Sequence, residues 1–145
     1  MRLPYLLTKQ QMEQMVSEKT QTIGLIEWQD LTVSNAESVR SFYETVVGWR
    51  GEGVSMGEYD DFNMQAAGSG ETVAGICHAR GPSQDMPAQW ILYVRVEDVA
   101  QSVNACRELG GKVVVEPKTM GNDLFSVVED PAGAVIGLIS TSRQP

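Results

Sequence analysis

Few side chains in this sequence can carry chemistry, and their spacing limits what each can do. There is one histidine, His78, so a two-histidine-one-carboxylate iron site cannot be built within one chain. Cys77 precedes it, and Cys106 lies far downstream. A cysteine becomes a nucleophile when a neighbouring base or cation draws off its proton. Side chains alternate sides along a strand, which sets His78 opposite Cys77 and leaves that thiol without an imidazole base on its face. Alternation through the strands described next places Trp28, Asp30, Thr32, Gly75, Cys77, Tyr93, Arg95 and Gly137 on one parity. Apolar surface with a few polar groups is what a small-molecule pocket requires, and these eight are the candidate ligand-binding residues. Asp30 is the candidate catalytic group, a general base if burial raises its pKa. Its other reading, shared with Arg95, is a salt bridge at a strand end. Trp28 and Tyr93 can stack on a planar or cationic ligand, or serve as core aromatics. Gly75 and Gly137 interrupt β-rich sequence, which marks either a ligand's approach to an enlarged cavity or tight backbone packing.

The elements that must hold these groups are clearest from Trp90 to Pro117. Leu92, Val94 and Val96 alternate with Ile91, Tyr93 and Arg95, the period-two pattern of a strand. Asp98 reads as a helix N-cap with Gln101 three residues on. Val99, Val103, Cys106 and Leu109 form its apolar stripe, and Gly110 and Gly111 end it. Three valines from Val113 favour another strand, which Pro117 is expected to stop. Upstream, Ile23 to Val33 reads as a strand and Asn35 as the cap of a helix. Val39, Phe42, Tyr43 and Val46 line that helix, and Gly48 closes it. Glu58 to Gln65 and Glu71 to Ala79 are predicted strands. Thr8 and Gln11 suggest a capping box before a short N-terminal helix through about Lys19, expected to cover an edge of the sheet.

The two halves repeat. Val33 and Val96 lie 63 positions apart, as do Asn35 and Asp98, Gly48 and Gly111, and Phe62 and Phe125. Gly75 and Gly137 lie 62 apart. In each half a strand, a helix and three strands follow in the same order, so the plan is a duplicated βαβββ unit rather than a solenoid. Asp130, Pro131, Ala132 and Gly133 suit a type I turn before the last strand. The expected organisation is an N-terminal arm over 1–22, one module over 23–81, a linker over 82–87 and a second module over 88–145.

LTVSNAESVRSFYETVVGW at Leu31 to Trp49, VEDVAQSVNACRELGGKV at Val96 to Val113 and EDPAGAVIGLI at Glu129 to Ile139 resemble the vicinal oxygen chelate superfamily. That superfamily includes glyoxalase I, bleomycin-resistance proteins and extradiol dioxygenases. The resemblance implies an α+β fold, two tandem βαβββ modules forming a curved mixed sheet or half-barrel with helices outside and a cavity on the concave side. It also implies a homodimer. Metal-dependent members place one ligand on each of four equivalent strands, and motif spacing carries those positions onto Trp28, Gly75, Ile91 and Gly137. None of these can ligate a divalent ion, so no metal and no other cofactor is expected. Asp30 acting with residues of a second chain is the remaining arrangement for a divalent metal.

Composition sets the outer limits. The 145 residues suit one domain or two modules sharing a core, with 42% hydrophobic and 21% charged residues. A formal net charge of -8 argues against non-specific binding to nucleic acid or anionic membrane. No apolar run is long enough to span a membrane, and the N-terminus lacks a signal-peptide pattern. Two cysteines make no disulfide framework, so a reducing cytoplasm is the expected location. Three functions stand open: a metal-free binder of small organic molecules, as the bleomycin-resistance resemblance implies; a lyase or isomerase related to lactoylglutathione lyase; and a non-catalytic subunit or regulatory module.

Overall fold

The computed structural model describes residues 22–142. The helix expected before Lys19 lies outside them. The chain divides into two compact units, one over Trp28–Trp90 and one that joins residues 22–27 to residues 91–142.

The first unit holds most of β1 (Ile26–Val33), then α1 (Ala36–Val46), β2 (Arg50–Ser55), β3 (Asp60–Gln65) and β4 (Thr72–His78). Its strands lie in the order β2-β3-β4-β1, antiparallel until β4 meets β1 in parallel. Leu31, Phe62, Met64, Ala74 and Ile76 form the buried sheet side of the core, with Ala36, Val39 and Tyr43 of α1 and with Trp49 and Trp90. Each fully buried aliphatic side chain there contributes about 1.5–3 kcal/mol. Trp90 donates its indole N–H to the Tyr43 hydroxyl at 3.0 Å, the partner a buried tryptophan needs. The helix stripe is narrower than its sequence spacing suggests. Phe42 and Val46 are exposed, and only Val39 and Tyr43 of that set reach the core. Asn35 stands at the cap position but its side chain makes no capping bond.

The second unit repeats the plan with β5 (Ile91–Arg95), α2 (Val99–Glu108), β6 (Lys112–Met120), β7 (Asp123–Glu129) and β8 (Val135–Thr141). Its order is β5-β8-β7-β6, again with one parallel pair, β5 and β8. Both units therefore place their strands second, third, fourth, first, as a duplicated βαβββ chain requires, and the class is α+β. Val99, Val103 and Val128 centre the helix-side core, joined by Val96, Cys106, Val113, Leu124, Ile136 and Leu138. Asp98 caps α2 as expected, accepting from Ala100 N at 2.9 Å and Gln101 N at 3.3 Å. Ser140, 1% exposed, accepts from Val99 N at 3.1 Å and so ties the helix start to β8. Asp130 organises the turn before β8, accepting from Gly133 N through its carbonyl and from Ala132 and Ala134 through its side chain.

Three sequence expectations give way here. Leu109 follows the end of α2 and is 78% exposed rather than part of the stripe. Leu92, of the parity opposite to Tyr93 and Arg95, is exposed rather than part of a core. Pro117 does not stop its strand: β6 runs through it to Met120, with register shifts between Val113 and Val115 and between Val115 and Lys118. Such irregularities at an edge strand accommodate a residue that has no N–H to donate. Among the described residues no helix is long and apolar enough to cross a membrane.

Candidate functional site

In the first unit the register settles which side chains share a face. Asp30 pairs with Gly75 and Thr32 with Cys77, while Asn63 lies opposite Gly75 on the next strand. These residues, with Trp28 and Asp61, occupy the side of the sheet away from α1, which for Trp28, Asp30, Thr32, Gly75 and Cys77 is the shared parity read from the sequence. Thr32 and Gly75 are buried, and Trp28, Asp30, Asp61, Asn63 and Cys77 are half-buried. Burial and the Asp30 and Asp61 carboxylates disfavour the Cys77 thiolate, and hydrogen bonding of the thiol to Asp61 adds to this, so its pKa is pushed up to about 12. Cys77 is therefore a neutral thiol at physiological pH, unsuited to nucleophilic attack.

His78, the last residue of β4, packs edge-on against Tyr59 with centroids 5.0 Å apart and lies 6.3 Å from the Phe62 ring. Asp61 accepts from the His78 backbone N at 2.8 Å and lies 3.4 Å from its Nδ1. Arg80 sits 4.2 Å above the Tyr59 ring. Asp61 was not among the candidates read from the sequence. Its place two strands from Asp30 emerges only from the register.

In the second unit Tyr93 pairs with Gly137 and Arg95 with Ile139, on the side away from α2. Arg95 is 3% exposed and makes a two-pronged ion pair with Glu27, Nε to Oε2 at 2.5 Å and Nη2 to Oε1 at 2.9 Å. Its Nη1 lies 3.6 Å from Asp123 and 3.5 Å from the Thr141 hydroxyl. Hydrogen bonding to Glu27 outweighs burial and raises the arginine pKa further. Alternation from Trp28 puts Glu27 on the other face from Arg95, yet the two meet. The cause is local: Arg95 accepts from Gly24 N and donates to Leu25 O, two consecutive residues against one, which shifts the side-chain alternation. Arg95 is committed to protein carboxylates, so the structure gives it a structural partner set.

The glycine readings are decided by the rings beside them. A Cβ at Gly137 would lie 2.6 Å from Cε1 and 3.0 Å from Cγ of Tyr93. A Cβ at Gly75 would lie 3.3 Å from Cζ2 of Trp28 and 3.4 Å from the Asp30 Cβ. Gly137 marks close packing, where any side chain would collide with the ring, and Gly75 sits in snug contact with the indole. The metal implied by the superfamily fares no better. Trp28, Gly75, Ile91 and Gly137 offer no donor atoms, and among the described residues no cluster of three or more His, Cys, Asp or Glu side chains could hold an ion. The residues present do not fit that metal.

Comparison with known proteins places this geometry. The chain is 29% identical over 130 residues to "Putative glyoxylase CFP32" of Mycobacterium tuberculosis and to its namesake in Mycobacterium bovis. Each match covers 83% of this chain and 47% of the relative, so the chain spans about half the length of the curated relatives it matches. Two solved structures share the fold at low identity. A hypothetical protein of Bacillus halodurans C-125 aligns with a TM-score of 0.51 at 11% identity, covering 86% of this chain and 99% of that one. Streptomyces coelicolor methylmalonyl-CoA epimerase, in complex with 2-nitronate-propionyl-CoA, aligns at 0.50 and 12%, covering 84% and 100%. The family model described as Glyoxalase/Bleomycin resistance protein/Dioxygenase superfamily matches residues 23–138. The chain belongs to that superfamily.

Proposed function

We propose that this protein binds a small organic molecule, without a metal, on the side of the first unit's sheet that faces away from α1. The observation that carries this reading is the set of half-buried polar and aromatic groups gathered there. Trp28 supplies an aromatic surface, and Asp30, Thr32 and Asn63 supply hydrogen-bonding groups around the buried Gly75. Apolar surface with a few convergent polar groups is how small ligands are oriented. In the second unit Tyr93 and Gly137 lie on the corresponding side, where the ring is 5% exposed and the role of Gly137 is to admit it. Arg95 acts by holding Glu27 in place.

The test is a thermal-shift screen of planar organic compounds against the native chain and against Trp28→Ala and Asp30→Asn. A ligand present at 100 times its Kd stabilises by about 2.7 kcal/mol, a shift easily read for a domain of this size. Stabilisation of the native chain that both variants lose is the expected result. Equal stabilisation of folded variants would overturn the placement of the site.

A second reading, a lyase or isomerase with Asp30 as general base, draws on the name of the mycobacterial relatives. Turnover of 2-oxoaldehyde adducts that Asp30→Asn abolishes, with ligand binding retained, would favour it over simple binding. The double length of those relatives also fits the pairing of two copies of this chain, which light scattering of the purified protein would measure.

A further inference from the structure

We propose that an aromatic ring has taken over the metal corner in each module, so that the sheets exclude a divalent ion by volume as well as by lack of donors. In the first unit the indole of Trp28 lies along Gly75, and in the second the phenol ring of Tyr93 lies over Gly137. A histidine or glutamate introduced at Gly137 would have to enter the volume that the Tyr93 ring already fills, and at Gly75 it would press on the half-buried indole of Trp28, which must give by a few tenths of an ångström. Tyr93 is buried and also packs against Phe125, with centroids 6.4 Å apart, so it has little freedom to swing aside. Close packing of this kind resists even one added methyl group.

The two rings are not copies of one another. Under the 63-residue repeat Trp28 corresponds to Ile91 and Tyr93 to Asp30, whereas Gly75 and Gly137 do correspond. In the first module the ring comes from the first ligand position itself. In the second it comes from two residues further along the strand, the residue paired directly with the glycine. The glycines occupy equivalent places in the two modules, and the rings beside them come from non-equivalent ones. The consequence for the proposed binding site, on which this inference rests for its ligand, is that Trp28 meets a planar organic group directly. Two oxygens gripped by an ion are not the recognition element.

The experiment begins with the native full-length chain. Its metal content is measured by mass spectrometry, and its melting temperature with and without excess nickel, zinc or manganese. No stoichiometric ion and no metal-dependent shift are expected. One ion per chain, or a shift of several degrees, overturns the proposal. The packing arm compares Gly137→Ala in the native background and in Tyr93→Ala. A loss of several degrees that shrinks when Tyr93 is absent is expected, with Gly75→Ala milder than Gly137→Ala. Equal losses in both backgrounds would overturn it. If Gly137→Ala fails to fold while the double variant folds, the ring is shown to be the obstacle. If neither folds, the metal measurements decide. A ligand that stabilises only when metal is added refutes this inference and the metal-free part of the proposed function, and leaves only small-molecule binding itself standing. Absence of both ligand and metal leaves this inference standing and refutes the binding.

Discussion

Removing the charge of Glu27 should cost far more than removing that of Glu116, although both carboxylates hold an arginine at nearly the same distance. Arg95 meets Glu27 at 2.5 Å with side chains 4% and 8% exposed. Arg107 meets Glu116 at 2.6 Å with side chains 49% and 65% exposed. In Glu27→Gln the buried guanidinium retains one carboxylate among the described residues, Asp123 at 3.6 Å and partly open to water, beside the Thr141 hydroxyl at 3.5 Å. Breaking one side of a buried pair costs about 3–5 kcal/mol, and the remaining aspartate argues for the lower end. With an m-value of about 2 kcal/mol/M, a loss of about 3 kcal/mol lowers the urea midpoint by about 1.5 M. The exposed pair is worth about 0–1 kcal/mol, so Glu116→Gln should move the midpoint by less than about 0.5 M. Urea unfolding followed by tryptophan fluorescence reads both. The double variant Glu27→Met with Arg95→Met should recover most of the loss, because replacing a whole buried pair by apolar side chains is often neutral. The reasoning is refuted if Glu27→Gln is no worse than Glu116→Gln, or if the double variant is as unstable as the single.

Other consequences can be measured on the same protein. With its pKa near 12, Cys77 should resist alkylation at pH 8 in the native state and react once urea exposes it; equal rates would refute its assignment as a buried neutral thiol. The folded state holds the proton on this thiol, so its contribution to stability is intact below the ordinary value of 9.0 and is lost as the pH climbs from there to about 12. The urea midpoint of Cys77→Ala should therefore fall less over that window than that of the native chain; identical slopes would refute the linkage. Asp98→Ala should destabilise by about 1 kcal/mol through loss of the α2 cap, whereas Asn35→Ala, whose side chain caps nothing, should change stability by only a few tenths. A reversed ranking in calorimetry would contradict the capping geometry.

What the sequence conveyed best was whatever repeats or alternates. The 63-residue offset between Asn35 and Asp98 announced two βαβββ modules, and alternation put Trp28, Asp30, Thr32, Gly75 and Cys77 on one side of the strands, opposite Leu31 and Ile76 of the core. Asp98 and the Asp130 turn were legible because their bonds are local, within four residues of the side chain that makes them. Departures from regular pairing were not legible. The doubled contact of Gly24 and Leu25 with Arg95 brings Glu27 beside an arginine that alternation had placed on the other face. Gly75 and Gly137 were ambiguous because a glycine codon reports a missing side chain, not whether a neighbour's ring occupies the space. Asp61 joined the candidate site through strand register, which links residues far apart in sequence. Phe42 and Val46 followed helical spacing but lie outside the arc of helix surface that touches the sheet, and Leu109 lies past the last turn of α2.

The proline in β6 also bears on how the molecule meets its own kind. β6 forms one rim of its unit's sheet, and an exposed rim is a template on which a foreign chain can crystallise into cross-β order. Pro117 has no N–H to donate, and the pairing with β7 slips once between Val113 and Val115 and again between Val115 and Lys118, across the proline itself. A newcomer strand would find its ladder broken at mid-length, so the irregularity that hid this strand's extent from the sequence also guards it against fibrous growth.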